Sequence, residues 1–195
     1  MKKFKDFNFG KFIIGVDEVG RGCLAGPVIA CAITLDIKNF PDGINDSKKL
    51  NKKKRNYLYK KLIDKCNYAL GIASVKEIDR FNIHQSSLLA MKRALNKLET
   101  LNHIILVDGK FSPISNNKNI KCIIKGDQQC ISIAAASIIA KVTRDNLMTK
   151  LGRKFPYYDW NNNVGYGTRK HLDRIQKFGI CIHHRKTFAP IHNLL

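Results

Sequence analysis

With 195 residues, 44% of them apolar, the chain can bury one core and is not disordered throughout. Lys and Arg number 35 against 15 Asp and Glu, and the resulting charge of +20 favours a polyanionic partner, although a chain so rich in lysine can also carry that charge as a solvated face. The first ten residues lack the apolar stretch and cleavage site of a secretory signal, and no apolar run approaches membrane-spanning length, so a soluble, cytoplasmic protein without membrane contact is expected.

In chain order, residues 12–16, 28–35 and 69–75 are short apolar or alternating runs bounded by Gly, Pro, Asn or charged residues, as strands are. Residues 52–65 and 84–98 space apolar side chains as helices do, with Leu58 and Leu62 in the first and Leu88, Leu89, Met91, Leu95 and Leu98 in the second. Two further strands are predicted over 103–107 and 120–125, then a long alanine-rich helix over 129–150. After Pro156 the chain turns aromatic and rich in Asn and Gly over 157–167, and a last helix is predicted over 168–178. Early hairpin-linked strands followed by alternating helix and strand give an α/β fold, a mixed sheet flanked by helices. Residues 1–155 are expected to form the sheet domain and 156–195 a helical appendage packed on it as one structural unit.

The six cysteines contain no C-x-x-C pair and sit mostly in apolar stretches, so they read as reduced, largely buried thiols. Cys181 with His183 and His184 lacks a second half-site, and zinc is not expected there.

Three predicted strands each deliver an acid at or just past their C-terminal end: Asp17-Glu18 before Gly20-Arg21-Gly22, Asp108 before Gly109, and Asp127 after Gly126. Ligand sites gather at that edge of an α/β sheet. Each Asp alone is equally at home in a turn, and Asp127 is also placed to cap the long helix. Three such acids in a chain with few acids point to hard cations, Mg²⁺ or Mn²⁺, and with a basic surface to phosphodiester hydrolysis. One geometric condition follows: neighbouring strand residues face opposite ways, so Asp17 and Glu18 serve together only if the strand bends or breaks there.

The run from Gly15 to Pro27, GVDEVGRGCLAGP, resembles the opening motif of ribonuclease HII, a type 2 ribonuclease H. Asp46-Ser47-Lys48-Lys49-Leu50, Val107-Asp108-Gly109, Lys125-Gly126-Asp127, the stretch from Ser132 to Val142, Gly165-Tyr166-Gly167-Thr168, and the stretch from His184 to Pro190 are similar to that family's further motifs, in order. The resemblance implies a ribonuclease H-like fold with Asp17, Glu18, Asp108 and Asp127 as catalytic carboxylates that bind Mn²⁺ or Mg²⁺. It implies hydrolysis of the RNA strand of RNA–DNA hybrids, and cutting 5′ of ribonucleotides embedded in duplex DNA, by two metal ions that leave 3′-hydroxyl and 5′-phosphate ends. Gly20, Arg21, Gly22 and Tyr166 are then the readers of the 2′-hydroxyl at the junction, and Lys48 and Lys49 phosphate contacts. The partner is nucleic acid and the protein a monomer. Asp145, beside Arg144, reads as a structural pair, while His184 and Arg185 suit either nucleic acid or the packing of the C-terminal tail. The rivals are a non-catalytic basic nucleic-acid binder and a carboxylate nuclease acting on DNA junctions.

Overall fold

The computed structural model describes residues 5–10 and 12–194; residues 1–4, which open the N-terminal stretch read above, lie outside it with residues 11 and 195. A hairpin of β1 (Phe12–Val19) and β2 (Val28–Asp36) starts the sheet, with register running from Phe12 opposite Asp36 to Val19 opposite Ile29. β3 (Tyr68–Ala73) pairs antiparallel to β2, while β4 (Ile104–Asp108) and β5 (Ile120–Ile123) extend the other side in parallel, giving the order β3-β2-β1-β4-β5.

The two-residue period of the strands sorts their side chains into two cores. Ile14, Val16, Val28, Ala30, Ala32 and Val107 face α2 (Val75–Leu95), whereas Cys31, Ile33 and Leu35 face α1 (Lys52–Lys65) and α3 (Ile131–Lys154). α3 lies directly on β1, for a Cβ added at Gly15 would come within 2.1 Å of the Ser132 backbone. That close seat lets side chains of α3 reach the end of β1.

The mixed sheet and its flanking helices match the expected class, and five local readings need correction. β1 does not end at Val16: β2 continues to supply partners, Cys31 to Asp17 and Ala30 to Glu18, so the strand runs on to Val19. β3 stops at Ala73, because Ser74 and Glu77 form a reciprocal capping box that starts α2 well before residue 84. The expected start near 84 reflects a break in α2 at Asn82, φ 67°, whose Oδ1 accepts from the N–H groups of His84 and Gln85. β5 stops at Ile123, before Lys125 takes a left-handed conformation. Finally, α3 is capped not by Asp127 but by buried Asp6, whose carboxylate accepts from the N–H groups of Ile131 and Ser132.

After α3 the chain makes a short turn at Pro156–Tyr158, α4 (Trp160–Asn163) and α5 (Arg169–Phe178), the last capped by the Thr168 hydroxyl. Tyr158, Trp160 and Ile175 pack with Leu24, Ala25 and Met148 in one cluster. Short antiparallel bridges, Cys23 to Tyr166 and Ala25 to His184, tie these residues to the loop that joins β1 and β2. Among the described residues no helix is long and apolar enough to cross a membrane. All six cysteines are unpaired.

Candidate active site

Pairing between β1 and β4 ends at Val16 opposite Val107, so the sheet opens where Asp17, Glu18 and Asp108 follow. The strand neither bends nor breaks at Asp17-Glu18. Asp17 keeps to the α3 face, where Ser137 hydrogen-bonds it, and Glu18 to the other, yet both border the opening together with Asp108. Asp17 is 6% exposed and accepts from the Glu18 N–H at 2.8 Å. Burial first, then the charges of Glu18 and Asp108, push its carboxyl well above the usual range.

Glu18 is raised by burial and by Asp108, against the opposing pull of Arg21, whose Nη1 lies 3.4 Å from Oε1. Its Oε2 is buried without a hydrogen-bond partner among the described residues. Asp108 accepts from the Gly126 N–H at 2.7 Å, and burial outweighs that bond to raise its carboxyl as well. Asp127 sits in the turn Gly126–Gln128, 5% exposed, and holds Lys48 Nζ at 3.3 Å. It meets the site through that lysine and does not line the cleft.

The cleft, about 230 Å³, has the three carboxylates on one side and Gly20, Arg21, Gly22 and Tyr166 on the other, with Lys48 and Lys141 at its border. Gly20 has φ +95° and abuts Arg144, so local structure demands glycine there. At Gly22 a Cβ would meet nothing within 4 Å, so the openness is toward whatever enters the cleft. Tyr166 is 39% exposed and Lys141 Nζ lies 5.5 Å from its ring centroid. Lys49, the other expected phosphate contact, is exposed and not part of the cleft wall.

Ser47, Ser137 and Lys141 escaped the sequence reading. Ser47 and Ser137 share a 2.7 Å hydrogen bond, through which the Asp46–Leu50 loop supports the side chain that bonds Asp17. Ser137 and Lys141 stand four residues apart on α3, one turn of the same face, which was the available signal. Asp145 pairs with Lys141 at 2.8 Å and not with Arg144. His184 and Arg185 are buried at 1% and 0% exposure, so neither presents its side chain at the surface to nucleic acid. Cys181 and His184 do touch, at 3.4 Å, but His184 turns its other nitrogen to His171 at 3.2 Å, inside the appendage.

Buried, raised carboxyls and a buried, unpartnered oxygen fit a hard divalent cation, which offsets the cost of burying their charge and supplies the missing partner. Among the described residues no three His, Cys, Asp or Glu side chains form a ready-made ligand set.

The family model described as ribonuclease HII matches residues 14–191. The chain is 50% identical over 186 residues to the ribonuclease HII of Macrococcus caseolyticus, covering 95% of this chain and 70% of that protein. The ribonuclease H2 structure from Pyrococcus horikoshii is similar with a TM-score of 0.78 and 27% identity, over 94% of this chain and 96% of that one. A Bst ribonuclease HIII structure, in complex with Mn²⁺, is similar in fold, with a TM-score of 0.71 and 22% identity over 89% of this chain and 65% of that one.

Proposed function

The chain belongs to the ribonuclease HII family, metal-dependent hydrolases of the ribonuclease H type that act on RNA–DNA hybrids, and we propose that it cuts the RNA strand at the edge formed by Asp17, Glu18 and Asp108. Asp127 completes the set by holding Lys48 over the cleft. In this reading residues 1–155 carry the carboxylates, and the appendage, 156–195, supplies Tyr166 as reader.

The observation that carries the proposal is the shared cleft, which the carboxylates line together with a glycine-containing loop and a partly exposed tyrosine. Glycine lets main-chain groups approach a sugar, and the 2′-hydroxyl is what tells RNA from DNA. Lys48 and Lys141 offset the phosphate charge, and Arg21 holds Glu18 in place. Two divalent ions, Mg²⁺ or Mn²⁺, would be held by Asp17, Glu18, Asp108 and Asp127 and supply an activated water and a stabilised leaving oxygen, giving 5′-phosphate and 3′-hydroxyl ends. The cut falls on the 5′ side of a ribonucleotide, single embedded ribonucleotides included. The site is complete within one chain, so a monomer suffices, and unpaired thiols suit the reducing cytoplasm.

The test uses labelled duplexes carrying no, one or several ribonucleotides, incubated with the protein and Mg²⁺ or Mn²⁺. Cleavage confined to ribonucleotide-containing strands is expected. Equal cutting of plain DNA, or binding without cutting in either metal, would overturn the reading.

A further inference from the structure

Arg144 and Arg185 are both fully buried, and neither has a carboxylate within ion-pair distance among the described residues. Buried guanidinium groups without acids are costly, so what they bond to instead is informative. All seven of their hydrogen bonds go to main-chain carbonyls. Arg144 donates to Pro27 at 3.0 Å, Ala25 at 2.9 Å and Val164 at 2.8 Å. Arg185 donates to Gly20 at 2.6 Å, to Arg21 at 2.7 Å and twice to Gly26, at 3.0 and 2.8 Å.

A trans peptide points its N–H opposite its C=O. With the carbonyls of Gly20 and Arg21 drawn inward to Arg185, the N–H groups of Arg21 and Gly22 turn away from the guanidinium, toward the side on which these residues line the cleft. Among the described residues neither N–H donates to any main-chain or side-chain acceptor. Two successive free N–H groups on an outward turn make a site for a hydroxyl or phosphate oxygen. The two cations behind the loop add positive charge on its inner side, with no acid in ion-pair contact among the described residues.

We infer that Arg185, with Arg144 beside it, is a positioning residue for substrate discrimination: its guanidinium sets the peptide planes of residues 20–22 so that their N–H groups read the ribose 2′-hydroxyl. The inference rests on the proposed role of that loop. Arg144 extends the same control across the cleft, because its bonds to Ala25 and Val164 fix the loop relative to the segment carrying Tyr166. Burial lowers the Arg185 guanidinium to about 10, so it remains charged at neutral pH. Asp79 holds the following segment instead, accepting from the Lys186 and Thr187 N–H groups at 3.2 and 3.1 Å.

Arg185→Lys keeps the charge and removes the fork that spans two carbonyls. In an Asp108→Asn background, which blocks cutting, Kd is measured for a duplex with one ribonucleotide and for the same duplex in DNA. The preference for the ribonucleotide is expected to fall about tenfold with Arg185→Lys, while plain-duplex affinity changes less than about twofold and thermal unfolding shows a folded protein. An unchanged preference, or equal weakening toward both duplexes, would overturn the inference. Should Arg185→Lys not fold, Arg144→Lys is judged by the same ratio and the same outcomes. No preference even without either arginine change would sink the proposed reading of the loop itself, and this inference with it.

Discussion

On one side of the cleft burial raises the carboxyls of Asp17, Glu18 and Asp108, the charge of Asp108 adds to the first two, and Glu18 keeps a buried oxygen without a partner among the described residues. On the other, the loop from Gly20 to Pro27 has its inward carbonyls fastened by two arginines and its neighbours bridged to Tyr166 and His184. In the proposed reading the carboxylate edge keeps a buried oxygen unsatisfied until cations and phosphate arrive, whereas the loop spends its carbonyls on rigidity and leaves the Arg21 and Gly22 N–H groups for the sugar. Chemistry needs charges that cannot rest without the substrate complex; discrimination needs groups that do not move to accommodate the wrong sugar. Breaking the first edge should abolish turnover with the fold intact, and breaking the second should change which substrate is preferred.

The largest effect is expected from Asp108→Asn, which takes a ligand charge from the centre of the edge. Cleavage of an RNA–DNA hybrid should fall by more than about a thousandfold. Hybrid binding without metal should hold or tighten, since a charge repelling phosphate has gone. Retained cutting within a few-fold of the parent, in a gel assay with Mg²⁺ or Mn²⁺, would remove Asp108 from the catalytic set. Next is Tyr166→Ala, expected to slow cutting at a single ribonucleotide about tenfold to a hundredfold, the size of one aromatic stacking contact. Cutting of a continuous RNA strand should suffer less, so the ratio of the two rates is the measurement. An unchanged ratio with both rates intact would make Tyr166 a packing residue.

The appendage carrying Tyr166 gives a pH prediction that separates the edges. His184 is lowered to about 4, chiefly by burial and then by His171, which is itself lowered by burial. The Trp160 indole donates to His171 Nε2 at 3.0 Å, which fixes that ring as neutral with Nδ1–H directed to the Tyr166 carbonyl, 2.9 Å away. As pH falls below about 6.5 the unfolded chain takes up protons that the folded one refuses. Stability is then full above that pH and is lost progressively down to about 4, by on the order of 3 kcal/mol from His184. Trp160 is the sole tryptophan, so fluorescence during denaturation reports on this cluster. A denaturation midpoint that stays level between pH 7 and 4.5 would show that these rings do not titrate as their burial dictates.

The sheet and its long helices were legible because apolar periodicity and strand-end acids are local signals. The condition placed on Asp17 and Glu18, a bend or break in the strand, is not fulfilled: β1 keeps its pairing with β2 through Val19, and both residues border the opening because β4 stops pairing at Val107. Strand pairing is non-local, which is why no window around Asp17 could reveal it. The same holds for Asp6 capping α3 across more than a hundred residues, and for Arg144 and Arg185, whose partners lie far along the chain. Asn82 shows the opposite limit, a local break that hid the first half of α2. Lys49 shows that a motif names a segment without saying which of its side chains reaches the cleft.

That last point yields the smallest expected effect. Lys48 and Lys49 are neighbours in one lysine pair, and composition cannot distinguish them. The structure does: Lys48 leans on Asp127 at 3.3 Å and lines the cleft with its side chain 81% exposed, while Lys49 does neither. A lysine held beside a carboxylate at the reaction edge is placed to meet the phosphate next to the cut. Its charge also opposes the repulsion that Asp127 exerts on Asp108, and Lys49 is not among the charges that act there. Lys48→Ala should weaken hybrid binding several-fold and reduce the slope of log K against log salt by about 1, the loss of one phosphate contact. Lys49→Ala should leave both within about twofold, as expected for a solvated surface charge. Equal effects of the two substitutions, measured by salt titration of hybrid affinity in the Asp108→Asn protein, would mean that the +20 charge acts as a diffuse field and that Lys48 has no particular place at the catalytic edge.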